Sequence, residues 1–230
     1  LSEHLQSIGL HPFHLPVGVL LDEVKGDATR ESPCIKCSAF DGYPCPVNGK
    51  ADSEVICIQP LLKKPNVTLL TNAYVENLET DASGKQVKYV NVIIDGKNEK
   101  ISADIVVVSC GAVNSAALLL RSSNDKHPHG LSNSSDMVGR HYMRHNNSVL
   151  MALSRQVNNT VFQKTLGIND FYLASKDSEY PLGHIQMLGK TFGATLKGSA
   201  PPLINMLPEA LFGMMTKHSI DYWLTSEDLP

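Results

Sequence analysis

Ala103-Asp104-Ile105-Val106-Val107-Val108-Ser109-Cys110-Gly111-Ala112 is the stretch on which the fold turns. It is an apolar run without polar alternation that ends in glycine. Such a run predicts a strand buried on both faces of a parallel sheet. The residues that follow, Ala112 to Arg121, are rich in Ala and Leu and predict a helix. Strand, glycine, helix is the connection that brings backbone close to whatever lies at a strand's carboxyl end, where open α/β sheets bind nucleotides. The same residues also suit an ordinary strand–turn–helix link.

The sequence upstream of that run predicts a meander. Asp52 to Lys63 reads as a short helix stopped at Lys64-Pro65-Asn66, and Val67 to Val75 reads as a strand. Asp81-Ala82-Ser83-Gly84-Lys85 supplies turn chemistry before a second strand, Val87 to Ile94. Asp95-Gly96 then marks a tight hairpin, because both residues tolerate the positive φ it requires. A third strand, Glu99 to Ile101, closes the meander. The organisation expected is three segments. Residues 1–50 form a loop-rich segment, broken by Pro12, Pro16, Pro33, Pro44 and Pro46, beside an active site and carrying a cysteine cluster. Residues 51–143 form the sheet-and-meander segment. Residues 144–230 form an α+β segment with strands at Ser148 to Ser154, Gly183 to Leu188 and His218 to Leu224, and a helix from Pro202 to Phe212.

Composition bounds the function classes. The chain has 230 residues, 42% hydrophobic and 19% charged, which is globular rather than disordered. A net charge of −3 without a basic cluster argues against a nucleic-acid partner. The longest apolar-and-small run, Ile105 to Val113, is far below the roughly 18–20 residues of a membrane span. Five cysteines, four of them between Cys34 and Cys57, are not an even disulfide framework, and with no signal peptide visible they predict a cytoplasmic setting. The first residue is Leu1, so a polypeptide continuing at its front is expected.

Pro65 to Val75 followed by Ala103 to Ala112, with Asn133-Ser134-Ser135, Val138-Gly139-Arg140, Met143 and His145, resembles the glucose–methanol–choline (GMC) flavoprotein oxidoreductases. Cys110 to Val113 and the stretch His11-Pro12-Phe13 to Leu15-Pro16 lean toward the pyranose-oxidase-like subgroup. Gly111, Ala112, Ser115, Leu119, Leu120 and Ser123 fit the family's second signature, whereas Ala116 and Asn124 depart from it. The resemblance implies an α/β and α+β fold: part of an FAD/NAD(P)-binding-type domain, with a parallel sheet and three-stranded meander, then the start of an antiparallel-sheet substrate domain. It implies FAD as cofactor and a small-molecule alcohol or sugar as substrate. The CH–OH group would be oxidised by proton abstraction and hydride transfer to the flavin. Residue by residue it places Val75 at the adenine edge, Cys110, Gly111 and Ala112 near the adenosine half, and Ala51 and Asp52 at a helix start approaching the flavin; a simple capped helix explains the last pair equally.

Two family features are absent from these 230 residues: a G-x-G-x-x-G phosphate loop and the C-terminal catalytic histidine region. His141, His145, His184 and His218 read as surface or packing histidines. The expectation is therefore an internal piece of a larger enzyme, inactive alone, with no catalytic residue of its own. Cys34, Cys37 and Cys45 open another alternative, since thiolates in one loop bind zinc or an iron–sulfur cluster. Packing thiols or a local disulfide are the plainer readings. The rival functions are an electron-transfer component using this loop, a non-catalytic assembly subunit, and one half of a split enzyme completed by a second chain.

Overall fold

The computed structural model describes residues 1–21, 32–38, 40–173 and 175–228. The expected loop-rich segment 1–50 lies partly outside these residues. In chain order the elements begin with α1 (Ser2–Ser7), β1 (Phe13–His14), a π-helical turn (Glu54–Ile58) and α2 (Gln59–Leu61). The meander β2 (Ala73–Thr80), β3 (Val87–Ile94) and β4 (Lys97–Ile101) follows, then α3 (Ala112–Arg121). Next come β5 (His145–Leu153), β6 (Leu166–Ile168), β7 (His184–Met187), α4 (Gly193–Gly198), α5 (Pro202–Asn205), α6 (Glu209–Lys217) and β8 (Ser219–Glu227). They fall into two units: a meander unit, Leu62–Met143, and a sheet unit, Leu1–Leu61 with Arg144–Leu229.

In the meander unit β2, β3 and β4 pair antiparallel in sequence order. The hairpin joining β3 to β4 closes through Asp95 (φ 47°) and Gly96 (φ 80°), with Ile94 opposite Lys97. Positive φ at both central residues is what a two-residue turn matched to the strand twist requires. The core is Leu78, Leu118 and Leu131, flanked by Val75, Val87, Val90, Val106, Val108 and Leu119. Ser122 ties helix to sheet, its hydroxyl accepting the Leu78 N–H at 2.9 Å and donating to the Leu118 carbonyl at 2.6 Å.

The run 103–110 departs from expectation. Val106 and Val108 pack on the leucine core, while Ile105 and Val107 are 81% and 78% exposed. The segment is single-faced and pairs in neither sheet; both sheets among the described residues are antiparallel. The cause is physical. A strand is buried on both faces only when elements cover both, and the meander unit supplies cover on one.

Other boundaries move for identifiable reasons. The strand expected from Val67 starts at Ala73, because its partner β3 ends at Ile94 and Asn72 already has φ 50°. The helix expected over 52–63 becomes a π turn running into a three-residue α segment that contains Pro60, which has no N–H to donate. The helix expected over 202–212 splits at Pro208, the N-cap of α6, whose ψ of 138° is extended.

The sheet unit is built on a five-stranded antiparallel sheet in the order β1-β6-β7-β8-β5. Its register places Phe13, Gly167, Gln186, Trp223 and Val149 in one row across the strands. Directly opposed residues of an antiparallel pair share a face, so this row marks one side of the sheet. On β8 the fully buried Asp221 accepts the Thr191 N–H at 3.0 Å, and its own carbonyl accepts that of Leu188 at 2.8 Å. Asp41 fastens the cysteine loop to the same segment, its Oδ2 accepting the Gly189 N–H at 2.7 Å and its Oδ1 pairing with Lys164 Nζ at 3.0 Å.

Candidate functional site

In the meander unit, β2 and α3 position the residues expected to face an adenosine group. Val75 lies on β2 where the ladder is irregular, between Val75 and Asn77. There Arg121, the last residue of α3, clamps the strand. Its Nη2 donates to the Val75 carbonyl at 2.7 Å and its Nε to the Glu76 carbonyl at 2.5 Å. Its guanidinium also lies 5.4 Å from the centre of the Tyr74 ring. Arg121 is the functional-looking residue that sequence reasoning missed; an arginine closing a helix reads as ordinary dipole complementation.

Cys110, Gly111 and Ala112 stand at the other end of α3, about 15 Å along a ten-residue helix at ~1.5 Å per residue. Gly111 is its N-cap, with φ 79° and ψ 162°. That region of backbone space is essentially reserved to glycine. A Cβ built there meets nothing within 4 Å, so the glycine answers to conformation and not to crowding by this unit. The Cys110 N–H donates to Ser115 Oγ at 3.0 Å, and the Cys110 thiol is free and exposed. Val75 and the Cys110–Ala112 turn therefore flank one helix at its two ends; they do not meet at a point. A helix N-terminus without a side-chain cap leaves backbone N–H groups for a ligand, most favourably an anionic one. Nothing in the sequence offers the glycine-rich loop for the FAD pyrophosphate.

In the sheet unit, the Ala51 N–H donates to the Gly18 carbonyl at 3.0 Å, and Asp52 Oδ1 accepts the Val55 N–H at 2.9 Å. Asp52 thus caps the π turn. Lys50 folds its ammonium back onto the carbonyls of Phe40 and Tyr43 at 2.7 and 2.6 Å. Cys34, Cys37 and Cys45 line one cavity of about 290 Å³, walled by Phe40, Tyr43 and Phe162 among others. Phe40 and Phe162 stack with centroids 4.7 Å apart. Cys45 Sγ accepts the Gly49 N–H at 3.1 Å. Backbone N–H groups, that of Val47 foremost, with the Lys50 ammonium hold its thiol below the usual range.

The three thiols are free, and among the described residues no group of three His, Cys, Asp or Glu side chains is placed to hold a metal ion. Among the described residues the three thiols line an apolar cavity and no further ligand joins them, so the structure does not show a zinc or iron–sulfur site. Cys57 lies exposed on the π turn.

A second, polar cavity of about 450 Å³ opens in the same unit, lined by Phe13, Leu15, Val17, Lys164, Asn169, His184 and Gln186 among others. Asn169 Oδ1 bonds His184 Nδ1. The His11–Asp170 pair at 2.6 Å adjoins Asn169 in sequence, and the bond from His11 holds the Asp170 carboxyl below its ordinary range.

The class these features define is matched by comparison. The GMC oxidoreductase family pattern covers residues 16–147, more than half of the chain, and the chain belongs to that family. Its relatives include 6'''-hydroxyparomomycin C oxidase of Streptomyces lividus, 34% identical over 160 residues, 68% of this chain and 27% of that protein. Paromamine 6'-oxidase of Streptomyces fradiae is 30% identical over 135 residues, 58% of this chain and 24% of that protein. The fructose dehydrogenase large subunit of Gluconobacter japonicus is 31% identical over 101 residues, 44% of this chain and 18% of that protein. The chain spans about a quarter or less of the length of these relatives. No helix among the described residues is long and apolar enough to cross a membrane.

Proposed function

We propose that this chain is part of an FAD-dependent oxidoreductase that oxidises a CH–OH group of a sugar or glycoside. The observation that carries the proposal is the bare backbone turn at Gly111, at the head of α3, inside the segment that matches the family. Similarity to a 6'''-hydroxyparomomycin C oxidase, a paromamine 6'-oxidase and a fructose dehydrogenase large subunit supports the substrate class. FAD, when bound, accepts the hydride released by the carbinol carbon. In this chain Val75, Cys110, Gly111 and Ala112 bind its adenosine side. Arg121 fixes the geometry of β2 beneath it. Ala51 and Asp52 set the helix start on the flavin side.

The meander unit, Leu62–Met143, then belongs to the cofactor domain and the sheet unit to the substrate domain; residues 51–61, expected with the cofactor domain, group with the sheet unit. The exposed side chains of Ile105 and Val107, on a run that pairs in neither sheet, find cover in further strands and helices of a parallel sheet. These come from the same polypeptide or from a second chain. Five free thiols fit a reducing, cytoplasmic compartment.

The test is the visible spectrum of the undissociated preparation containing this chain, before and after anaerobic addition of a sugar. Two-band flavin absorbance bleached by the sugar is expected. A colourless preparation, or a flavin that no sugar or alcohol reduces, overturns the proposal.

A further inference from the structure

The polar cavity of the sheet unit is a site that the family match does not assign. Its construction follows from the strand register. Phe13 on β1 stands opposite Gly167 on β6, and Gly167 stands opposite Gln186 on β7. A Cβ at Gly167 would lie 2.7 Å from Leu15 Cδ2, 3.0 Å from Phe13 Cζ and 3.1 Å from His184 Cε1. The missing side chain is what lets an aromatic ring, an aliphatic side chain and an imidazole converge over the middle strand.

Around this gap the wall divides by chemistry. Phe13, Leu15 and Val17 give an apolar side. Gln186, Asn169, His184 and Lys164 give a polar side. The polar side is largely uncommitted to the protein. The half-buried Gln186 amide has no partner among the described residues. Asn169 spends its oxygen on His184, leaving both amide N–H groups, and the same bond fixes the imidazole by Nδ1, leaving its Nε2 edge. Lys164 spends one ammonium N–H on Asp41, at 3.0 Å. Gln186 is half-buried and Asn169 exposed, so both amides are open to hydrogen bonding by a polar ligand that enters the cavity.

A cavity of about 450 Å³ falls within the roughly 300–1,000 Å³ of small-molecule sites. A ligand with one C–H face and a rim of hydroxyls matches such a wall on both sides: the C–H face lies on Phe13, and the hydroxyls exchange hydrogen bonds with the amides. A purely apolar ligand would strand Gln186 and Asn169, and a compact anion would leave the Phe13 side unused. The 290 Å³ cysteine cavity, with its stacked phenylalanines, has the opposite character.

We propose that this cavity binds a hydroxyl-rich ring, a pyranoside or cyclitol, with Gln186 and Asn169 reading its hydroxyls, His184 positioned beside them and Phe13 beneath. The assignment deepens the oxidoreductase reading and rests on it for the fate of the ligand. Gln186 and Asn169 are specificity residues; none of the four is given a part in the chemistry.

The experiment is isothermal titration of the whole protein with methyl α-D-glucopyranoside and with tetrahydropyran-2-methanol, which keeps the ring and loses the ring hydroxyls. The glucoside is expected to bind at least tenfold more tightly than the tetrahydropyran, as loss of one or two hydrogen bonds at ~1 kcal/mol each implies. Gln186→Leu should weaken the glucoside roughly tenfold and leave the melting temperature unchanged, since the native amide has no protein partner to lose. Gly167→Ala, which crowds the floor through the ends of movable side chains, is the second variant and should weaken it as well. Equal affinity for the two ligands, no saturable binding of the glucoside, or wild-type affinity in both variants overturns the proposal. Glucoside binding that depends on Gln186 in a colourless protein upholds the cavity and sinks the oxidoreductase reading. Flavin bleached by the glucoside with an unchanged KM in Gln186→Leu does the reverse.

Discussion

Gly111→Ala separates a glycine kept for its backbone from a glycine kept for a ligand. At φ 79° and ψ 162° an alanine is strained, at about 1–3 kcal/mol for a residue held in so sparse a region. No steric cost is added, because a Cβ there meets nothing within 4 Å. The variant should therefore fold, with a melting temperature lowered by about 4–8 °C per kcal/mol for a unit of this size. Gly96 is the matched control. It has φ 80°, open space around its Cβ, and a place in the β3–β4 hairpin away from α3. Gly96→Ala should also lose stability, by the ~1–2 kcal/mol of an L-residue in a left-handed turn position. The two variants should part in flavin content, measured as the ratio of absorbance near 450 nm to protein after gel filtration (a band position general to oxidised flavins). Gly111→Ala should lose most of its flavin, because the new methyl occupies the space where the cofactor meets the head of α3, and Gly96→Ala should keep it. Full flavin content in Gly111→Ala, or equal loss in both variants, refutes the assignment of this turn to the cofactor.

Two further outcomes test the packing and the electrostatics. Gly183→Ala would set a Cβ 2.0 Å from the Thr225 carbonyl oxygen at φ 98°, so β7 must part from β8, and a loss of about 2–5 kcal/mol in urea unfolding is expected. Wild-type stability there would refute the strand register. The second concerns acid. The Lys100 bond to Glu79 and the Ser83 bond to Asp81 hold both carboxyls below their ordinary range in the folded meander. Each group is thus easier to ionise folded than unfolded. Its stabilisation is fully present above the ordinary carboxylate pKa near 4 and is lost as pH falls through the depressed folded values. Both groups are exposed, so the effect is small, and the Glu79 share should fade in salt. Melting of Glu79→Gln/Asp81→Asn should be flatter than wild type between pH 5 and 2, and an unchanged slope refutes the linkage.

What was legible in the sequence was what neighbouring residues decide among themselves. Val87–Ile94 and Ala112–Arg121 match expectation to the residue, since alternation, the Asp95-Gly96 turn and a leucine-rich helical stretch need no distant partner to be read. The family resemblance was legible for the same reason, carried by short motifs around Gly111. Pro208 inside an expected helix was visible as a residue and misjudged as a pattern: α5 ends at Asn205 and α6 begins at Glu209. Arg121 was hidden because its partners, the carbonyls of Val75 and Glu76, lie 46 and 45 residues away and leave no trace in side-chain identity.

The run 103–110 and the polar cavity show two opposite limits of the same logic. In the run, composition speaks for an environment larger than the meander unit: Ile105 and Val107 are as apolar as Val106 and Val108, yet only the latter pair is covered. Apolar residues facing water at about 80% exposure stabilise nothing by burial, so their presence is an argument for a covering element and not for this unit alone. In the cavity, composition says almost nothing. Phe13, Gly167 and Gln186 are unremarkable where they stand, more than 150 residues separate the first two, and His184 reads as one packing histidine among several. Only antiparallel pairing of β1 with β6 and of β6 with β7 sets them in one row, and only a glycine between Phe13 and Gln186 lets Leu15, Phe13 and His184 close over the strand. Gly167→Ala should therefore weaken ligand binding at a modest cost in stability, because the atoms it would displace are the mobile ends of Leu15, Phe13 and His184 and not backbone.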